Sequence, residues 1–301
     1  MPEHDGRAWS EVSAPPEAAW RYEVPSDVLT ALLTGSTGNG RLRDFSSQAD
    51  GFVEGVARAL EQGPGFAVLH GIPTGRGRDG DARSCYLRLG SEFGVPIVQD
   101  REGTLLCDVI DAGFPLEGEA DHPGSRRVDL PFHTDNAWGR IFPDYMGLLC
   151  LRNACDGGLM QMVSAYTLLE ELERVSPGYQ ETLRLPVPFD PARQLQAGEE
   201  AHDEIAITEW SDETGLTFRY LHYQIASDHL STRQREAIAA LEEILLRPEL
   251  RVRLVLQPGE VLMVNNRWVL HSRTRYENEP GLPRCHVRLW LERIDSTIGR
   301  S

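Results

Sequence analysis

Lysine is absent from all 301 residues, so the 30 basic side chains are arginine throughout. That absence excludes a Schiff-base lysine for pyridoxal phosphate and the lysine of a phosphate-binding P-loop. Cysteine is sparse: Cys85, Cys107, Cys150, Cys155 and Cys285 form an odd set without Cys-x-x-Cys spacing. They read as separate thiols in a reducing compartment, not as a disulfide framework or a zinc knuckle. Positive charge is also short. A formal net charge of −16 leaves no basic footprint for a nucleic-acid backbone, although local arginines can still grip small anions. No apolar run is long enough to span a bilayer, and Met1-Pro2-Glu3-His4-Asp5 does not begin a secretory signal. The expectation is a cytoplasmic protein with a small-molecule substrate and no nucleic-acid or membrane partner, with homo-oligomers left open.

What is present is a globular composition, 41% hydrophobic and 25% charged. Residues 1–45, rich in Pro, Gly, Ser and charge, read as a loosely packed arm, and residues 46–301 as one domain. Phe52, Val53, Val56 and Leu60 recur at helical spacing until Gly63-Pro64-Gly65 stops them. Phe66–His70 follows as a strand, and a second helix is expected over Arg83–Phe93. Strand patterns follow at Val95–Val98 and Thr104–Ile110. Residues 111–127 lack periodicity and carry glycine, proline and acid, which suggests a lid over a site or a solvated insertion.

Met146–Leu151 is a continuous apolar run, the pattern of a buried strand. Asp156-Gly157-Gly158 turns the chain into a strand over Leu159–Val163, and Ser164 caps a helix over Ala165–Arg174. Glu204–Trp210 and Leu216–Tyr220 read as a hairpin, and Ser231-Thr232-Arg233-Gln234 as a capping box opening a helix that Pro248 ends. Strands then return at Arg251–Leu256, Glu260–Val264, Trp268–His271 and Arg284–Leu291. Short strands with a few helices and no βαβ alternation indicate a mainly β (α+β) fold, with a double-sheet core and helices outside.

The chemistry centres on Leu130-Pro131-Phe132-His133-Thr134-Asp135-Asn136. In a strand entering a loop, residues two apart share a face, so His133 and Asp135 can converge. One histidine with one carboxylate is two-thirds of the facial triad of non-haem Fe(II) oxygenases, and a distant histidine must complete it. Alone, His-x-Asp is more often a hydrogen-bonded loop pair. Of the remaining histidines, His271 at the end of Trp268-Val269-Leu270 is preferred over His4, His122, His202, His222 and His229 because of the segment that follows it. In Arg284-Cys285-His286-Val287-Arg288-Leu289-Trp290-Leu291, strand alternation makes one face wholly apolar. The other presents Arg284, His286, Arg288 and Trp290. Arginine's fork suits a carboxylate, although salt bridging on an exposed sheet face would use the same residues. The turn Asn278–Pro283 is expected to fold this strand back beside the one bearing His271.

His133-x-Asp135, Gly157-Gly158, Asn265-Asn266-Arg267, His271-Ser272-Arg273-Thr274-Arg275-Tyr276 and Arg284-x3-Arg288 occur in this order. Together they resemble the Fe(II)/2-oxoglutarate dioxygenases of the taurine dioxygenase (TauD/TfdA) / clavaminate synthase-like superfamily, from about Gly65 to Leu291. The resemblance implies a double-stranded β-helix (jelly-roll) core. It also implies iron held at His133, Asp135 and His271, 2-oxoglutarate anchored at Arg284, and substrate contact or support of that anchor at Arg288. Many relatives carry Ser or Thr after the Gly-Gly turn to help hold the cosubstrate, whereas this chain reads Leu159-Met160; Thr274 or Ser272 could substitute. A carboxylate at position 135 leaves no open chloride site of the halogenase kind.

The expected reaction spends O2 and 2-oxoglutarate, releases succinate and CO2, and oxidises a C–H bond, most simply by hydroxylation. Asn136, Trp138 and Tyr276 are expected pocket walls, and Arg288, with Arg275, suggests an amino-acid-like or other carboxylate-bearing substrate. A zinc-dependent hydrolase built on the same three residues, or a non-catalytic protein binding metal or 2-oxoglutarate, stands as the alternative.

Overall fold

The computed structural model describes residues 6–35, 42, 46–75, 77–110, 129–190 and 203–294. In order, its principal elements are β1 (Arg21–Glu23), α1 (Ser26–Thr34), α2 (Ser47–Glu61), β2 (Phe66–His70), α3 (Asp79–Gly90), β3 (Gly94–Ile97), β4 (Leu106–Ile110) and β5 (Leu130–His133). There follow β6 (Tyr145–Arg152), β7 (Asp156–Gly157), β8 (Met160–Ser164), α4 (Ala165–Val175), α5 (Tyr179–Leu183), β9 (Pro186–Pro188), β10 (Glu204–Ala206), β11 (Thr208–Ser211) and β12 (Gly215–Phe218). The chain closes with α6 (Thr232–Leu245), β13 (Val252–Leu254), β14 (Val261–Asn265), β15 (Val269–Arg273), β16 (Tyr276–Glu277) and β17 (Cys285–Arg293).

Among the described residues the larger sheet runs β1-β2-β14-β6-β17-β3, with β4 also on β17, and a four-stranded sheet runs β13-β8-β15-β5. Successive core strands alternate between the two, β5 in the smaller, β6 in the larger, β8 back in the smaller, then β14, β15 and β17 crossing again. That winding is a jelly roll, and the expected mainly β architecture with helices outside is what the chain adopts.

Alternation along each strand of the larger sheet decides which core a side chain joins. Met146, Leu148 and Cys150 of β6, with Leu262 and Val264 of β14 and Trp290 of β17, turn inward toward Met160 and Met162 of the smaller sheet. Leu149, Leu151, Val261, Met263, Cys285, Val287, Leu289 and Leu291 turn outward onto α1, α2 and α3. A strand covered on both faces reads as an uninterrupted apolar run, which is why Met146–Leu151 carries no period. Helix α2 begins where Ser46 Oγ accepts from the Ala49 amide at 3.0 Å, and α6 begins with the capping box of Ser231 and Gln234.

Three local expectations are corrected. Residues 6–35 are no loose arm: β1 adds to β2 in parallel, and Trp9 and Trp20 are buried against Phe66. The Trp9 indole donates to the Pro64 carbonyl at 2.9 Å, so two large aromatics anchor a stretch whose composition alone looked polar. Helix α3 starts at Asp79, ahead of Arg83, because its first turn, Asp79-Gly80-Asp81, carries acid suited to a helix N-terminus but no apolar period. Over Pro186–Pro188, where no regular element was expected, β9 pairs with β10. The lid expected at 111–127, and His4, His122 and His202, lie outside the described residues.

Candidate active site

His133 ends β5 and faces His271 of β15 in direct cross-strand register, with ring centroids 4.4 Å apart. Asp135 reaches the same point from the loop beyond the strand, so convergence comes from a turn rather than from the strand alternation expected. Two brackets fix that turn. Thr134 N donates to the Tyr220 carbonyl at 2.9 Å, and Tyr220 N donates to Thr134 Oγ1 at 3.0 Å. Asn266 Oδ1 accepts from Asp135 N at 2.7 Å, while Asn266 Nδ2 donates to Asp135 O at 3.1 Å and to Pro143 O at 2.9 Å. Asn266 follows β14, so the larger sheet holds a loop whose histidine partners come from the smaller one.

Asp135 Oδ1 lies 3.3 Å from His133 Nε2 and 3.2 Å from His271 Nε2. Among the described residues, these three buried side chains form a group able to hold a metal ion, with one ligand atom from each and all three atoms within 4.8 Å. Adjacent corners of an octahedron with bonds of about 2.1 Å stand roughly 3 Å apart, so the spacing suits a facial set of two imidazoles and a carboxylate. His133 Nδ1 donates to the Pro131 carbonyl at 2.9 Å, which leaves the Nε2 lone pair for the metal.

Burial, with His133 close by, pushes the His271 pKa below the ordinary imidazole value against the pull of Asp135. Its ring is therefore neutral and available as a ligand at neutral pH. Burial alone would raise the Asp135 carboxyl, but the Arg288 guanidinium and the two histidines beside it hold it well below the usual carboxylate range. Asp135 Oδ2 accepts from Trp290 Nε1 at 2.6 Å and lies 3.6 Å from Arg288 Nη1. Trp290 thus orients the carboxylate. Its position on the polar face of β17 was visible in the sequence; its partner was not.

β17 does not fold back beside β15, as expected. It pairs with β6, β3 and β4 in the larger sheet, and β15 pairs with β8 and β5 in the smaller one. The link between them crosses from sheet to sheet, so Arg284 and His271 belong to opposing layers. Arg284 is only 1% exposed, which rules out salt bridging on an open face. Its Nη2 donates to His286 Nδ1 at 2.9 Å, and its Nε and Nη1 are buried without a hydrogen-bond partner among the described residues. Burial, reinforced by Arg273, pushes its pKa down to about 10, so it is charged at neutral pH. A buried cation with unpaired donors fits an anionic ligand.

The other expected site residues divide. Tyr276 is buried, its ring 4.5 Å from the Arg273 guanidinium and 5.3 Å from that of Arg284. Thr274 Oγ1 accepts from Leu159 N at 3.0 Å and so closes the Gly-Gly turn. Ser272 Oγ is buried without a hydrogen-bond partner among the described residues. Arg288 Nε donates to Gln99 Oε1 at 2.8 Å, and its guanidinium lies 4.3 Å from the Trp290 ring. Asn136 does not behave as a free pocket wall. It adopts φ 52° and its amide donates to Ile141 O at 2.7 Å, bracing its own loop. Trp138 is 0% exposed, packed near Phe189. Arg275 is exposed and paired with Glu277 at 2.7 Å. Gln99 and Arg273 were not singled out by sequence reasoning, and His286 was placed on the polar face of β17 without a role; Gln99 appears through its bond to Arg288 and Arg273 through its place beside Tyr276.

FR-33289 synthase of Streptomyces rubellomurinus is 27% identical over 256 residues, 81% of this chain and 74% of that protein. Enduracididine beta-hydroxylase of Streptomyces hygroscopicus is 28% identical over 232 residues, 69% of this chain and 63% of that protein. An asparagine oxygenase structure holding Fe(II), 2S,3S-3-hydroxyasparagine and succinate superposes with a TM-score of 0.65 at 20% identity, covering 90% of this chain and 93% of that one. Residues 29–292 match the model of the taurine catabolism dioxygenase TauD, TfdA family. The chain belongs to that family and is a dioxygenase.

Proposed function

We propose that the protein hydroxylates an unactivated C–H bond of a small amino-acid-like or other carboxylate-bearing substrate, using Fe(II), 2-oxoglutarate and O2 and releasing succinate and CO2. The observation that carries this reading is the opposition of two incomplete sites. Two imidazoles and a carboxylate stand on one side, and a buried guanidinium with unpaired donors stands on the facing sheet. In this reading His133, Asp135 and His271 are the catalytic metal ligands and Arg284 anchors the far carboxylate of 2-oxoglutarate. Bound there, metal and cosubstrate supply the oxidising power for C–H cleavage.

The chain's own residues supply position, charge and dryness. Asp135 is kept anionic and aimed by Trp290 and Arg288, and His271 is kept neutral. Met160 and Met162, opposite Arg273 and His271 on β8, exclude water from the space between the sheets. Thr274 braces the turn that brings Tyr276 against Arg284. Arg288, half-buried beside Asp135, is placed to receive a substrate carboxylate close to the metal. Kinship with a beta-hydroxylase of an amino acid and with asparagine oxygenase favours the amino-acid class.

The test is a screen of free amino acids and their N-acyl derivatives with Fe(II), 2-oxoglutarate and air, reading succinate and a product heavier by one oxygen. Stoichiometric succinate and hydroxylated product for one of these substrates is expected. Turnover that needs neither O2 nor 2-oxoglutarate would overturn the reading.

A further inference from the structure

Arg284, immediately before β17, and His286 on that strand are both almost fully buried, at 1% exposure each. His286 sits between Cys150 of β6 and Val109 of β4 in the sheet register, inside a chain whose Leu159-Met160 pair offers no hydroxyl to a bound anion. Arginine can only donate, so in the 2.9 Å contact between Arg284 Nη2 and His286 Nδ1 the imidazole must accept. The ring proton is therefore on Nε2, and that atom is buried without a hydrogen-bond partner among the described residues. A doubly protonated imidazole would break this contact and add a second cation beside the first. Burial, then Arg284 and Arg273, hold the His286 pKa well below its ordinary value, which keeps Nδ1 available as the acceptor.

An arginine side chain has several rotamers, and burial does not by itself select one. Arg284 has its backbone N–H on Asn278 Oδ1 at 2.9 Å and Tyr276 near its guanidinium, which fixes the stem and the plane's neighbour. Only the His286 contact is a directional bond to the guanidinium itself among the described residues. We propose that His286 is a positioning residue for cosubstrate binding: its neutral imidazole aims the Arg284 guanidinium so that the remaining donors receive the far carboxylate of 2-oxoglutarate. This rests on Arg284 being the cosubstrate anchor.

The experiment is calorimetric titration of 2-oxoglutarate into the Mn(II)-loaded protein, comparing wild type with His286→Leu, His286→Asn and Arg284→Gln. Asparagine places an amide oxygen close to where Nδ1 stands, whereas leucine keeps volume and removes the acceptor. The expected result is 2-oxoglutarate binding weakened about 10- to 100-fold in His286→Leu. Most of that is restored in His286→Asn, and Mn(II) affinity is unchanged in both. Unaltered 2-oxoglutarate binding in His286→Leu, or equal losses in the leucine and asparagine variants, would overturn the positioning role while leaving the anchor intact. Unaltered binding in Arg284→Gln would instead remove the anchor itself. Should the leucine variant not fold, His286→Gln replaces it; its amide sits toward the Nε2 position, so weaker binding than in His286→Asn is expected, and equality would overturn the proposal.

Discussion

Asn266 grips Asp135 by its backbone, accepting from its N–H at 2.7 Å and donating to its carbonyl at 3.1 Å. The carboxylate that faces the two histidines is thus placed by a side chain from the sheet opposite theirs. Asn266→Ala strands a buried N–H and C=O together, a loss of roughly 2–4 kcal/mol in folding stability. The same change lowers Mn(II) affinity about 10- to 100-fold, because the loop no longer presents Asp135 at one fixed point. Chemical denaturation and a metal isotherm on the same preparation check both; wild-type metal affinity in a destabilised variant would contradict the positioning role.

Trp290→Phe isolates the carboxylate's orientation from its loop. The ring stays in the inner core, but the 2.6 Å donor to Asp135 Oδ2 is lost. Metal affinity should fall about tenfold with only a small change in melting temperature. An unchanged metal isotherm would show that the indole serves packing alone.

The paired glycines of the turn separate strain from collision. Both adopt left-handed backbone, φ 71° at Gly157 and φ 70° at Gly158. A Cβ at Gly157 would lie 2.1 Å from the Arg275 carbonyl oxygen, whereas at Gly158 the nearest atom is Tyr276 Cβ at 3.5 Å. Gly158→Ala should therefore cost only the left-handed penalty, about 1–2 kcal/mol. Gly157→Ala should cost clearly more and weaken 2-oxoglutarate binding, since β7 and β16 must part and Tyr276 leaves Arg284. Similar melting temperatures for the two variants would contradict this.

A pH-dependent contribution is expected at the far end of the Tyr220 segment. His222 Nδ1 lies 3.4 Å from Glu242 Oε1, and that hydrogen bond raises the His222 pKa against the effect of burial. Burial would raise the Glu242 carboxyl, but the bonds from His222 and Tyr220 bring it below its ordinary value. The histidine's contribution is complete below its unfolded pKa and vanishes as pH rises through the raised folded value; the glutamate's is lost as pH falls. With the side chains 52% and 39% exposed, the pair contributes ~0.5 kcal/mol or less. Compared with His222→Gln, the wild type should melt higher at about pH 6 and lose that margin by about pH 9. A margin that persists at the higher pH would contradict it.

The site was legible where local pattern and global role coincide. Alternation along Arg284–Leu291 put arginine, histidine and tryptophan on one face because β17 has an apolar helix layer outside and faces the smaller sheet inside. The pairing of His271 with the distant His133 and Asp135 followed from chemistry of residue types. What escaped were facts of winding. No local signal says that β15 and β17 lie in opposite sheets, that Asp135 arrives through a turn, or that Asn266 holds it. Asn136 and Trp138 look like pocket walls by proximity to the motif, yet one braces its own loop and the other is sealed in the core. Trp9 and Trp20 show the converse: two large side chains outweigh the polar composition around them.

The central claim is that His133, Asp135 and His271 hold Fe(II) while Arg284 receives the far carboxylate of 2-oxoglutarate. Anaerobic titration with Fe(II) and then 2-oxoglutarate, followed by the visible metal-to-ligand charge-transfer band, tests it most directly. The band should form in the wild type, be absent in His271→Ala, and need far more 2-oxoglutarate in Arg284→Ala. A band of undiminished strength without His271, or no band in the wild type with zinc tightly held, would contradict the account.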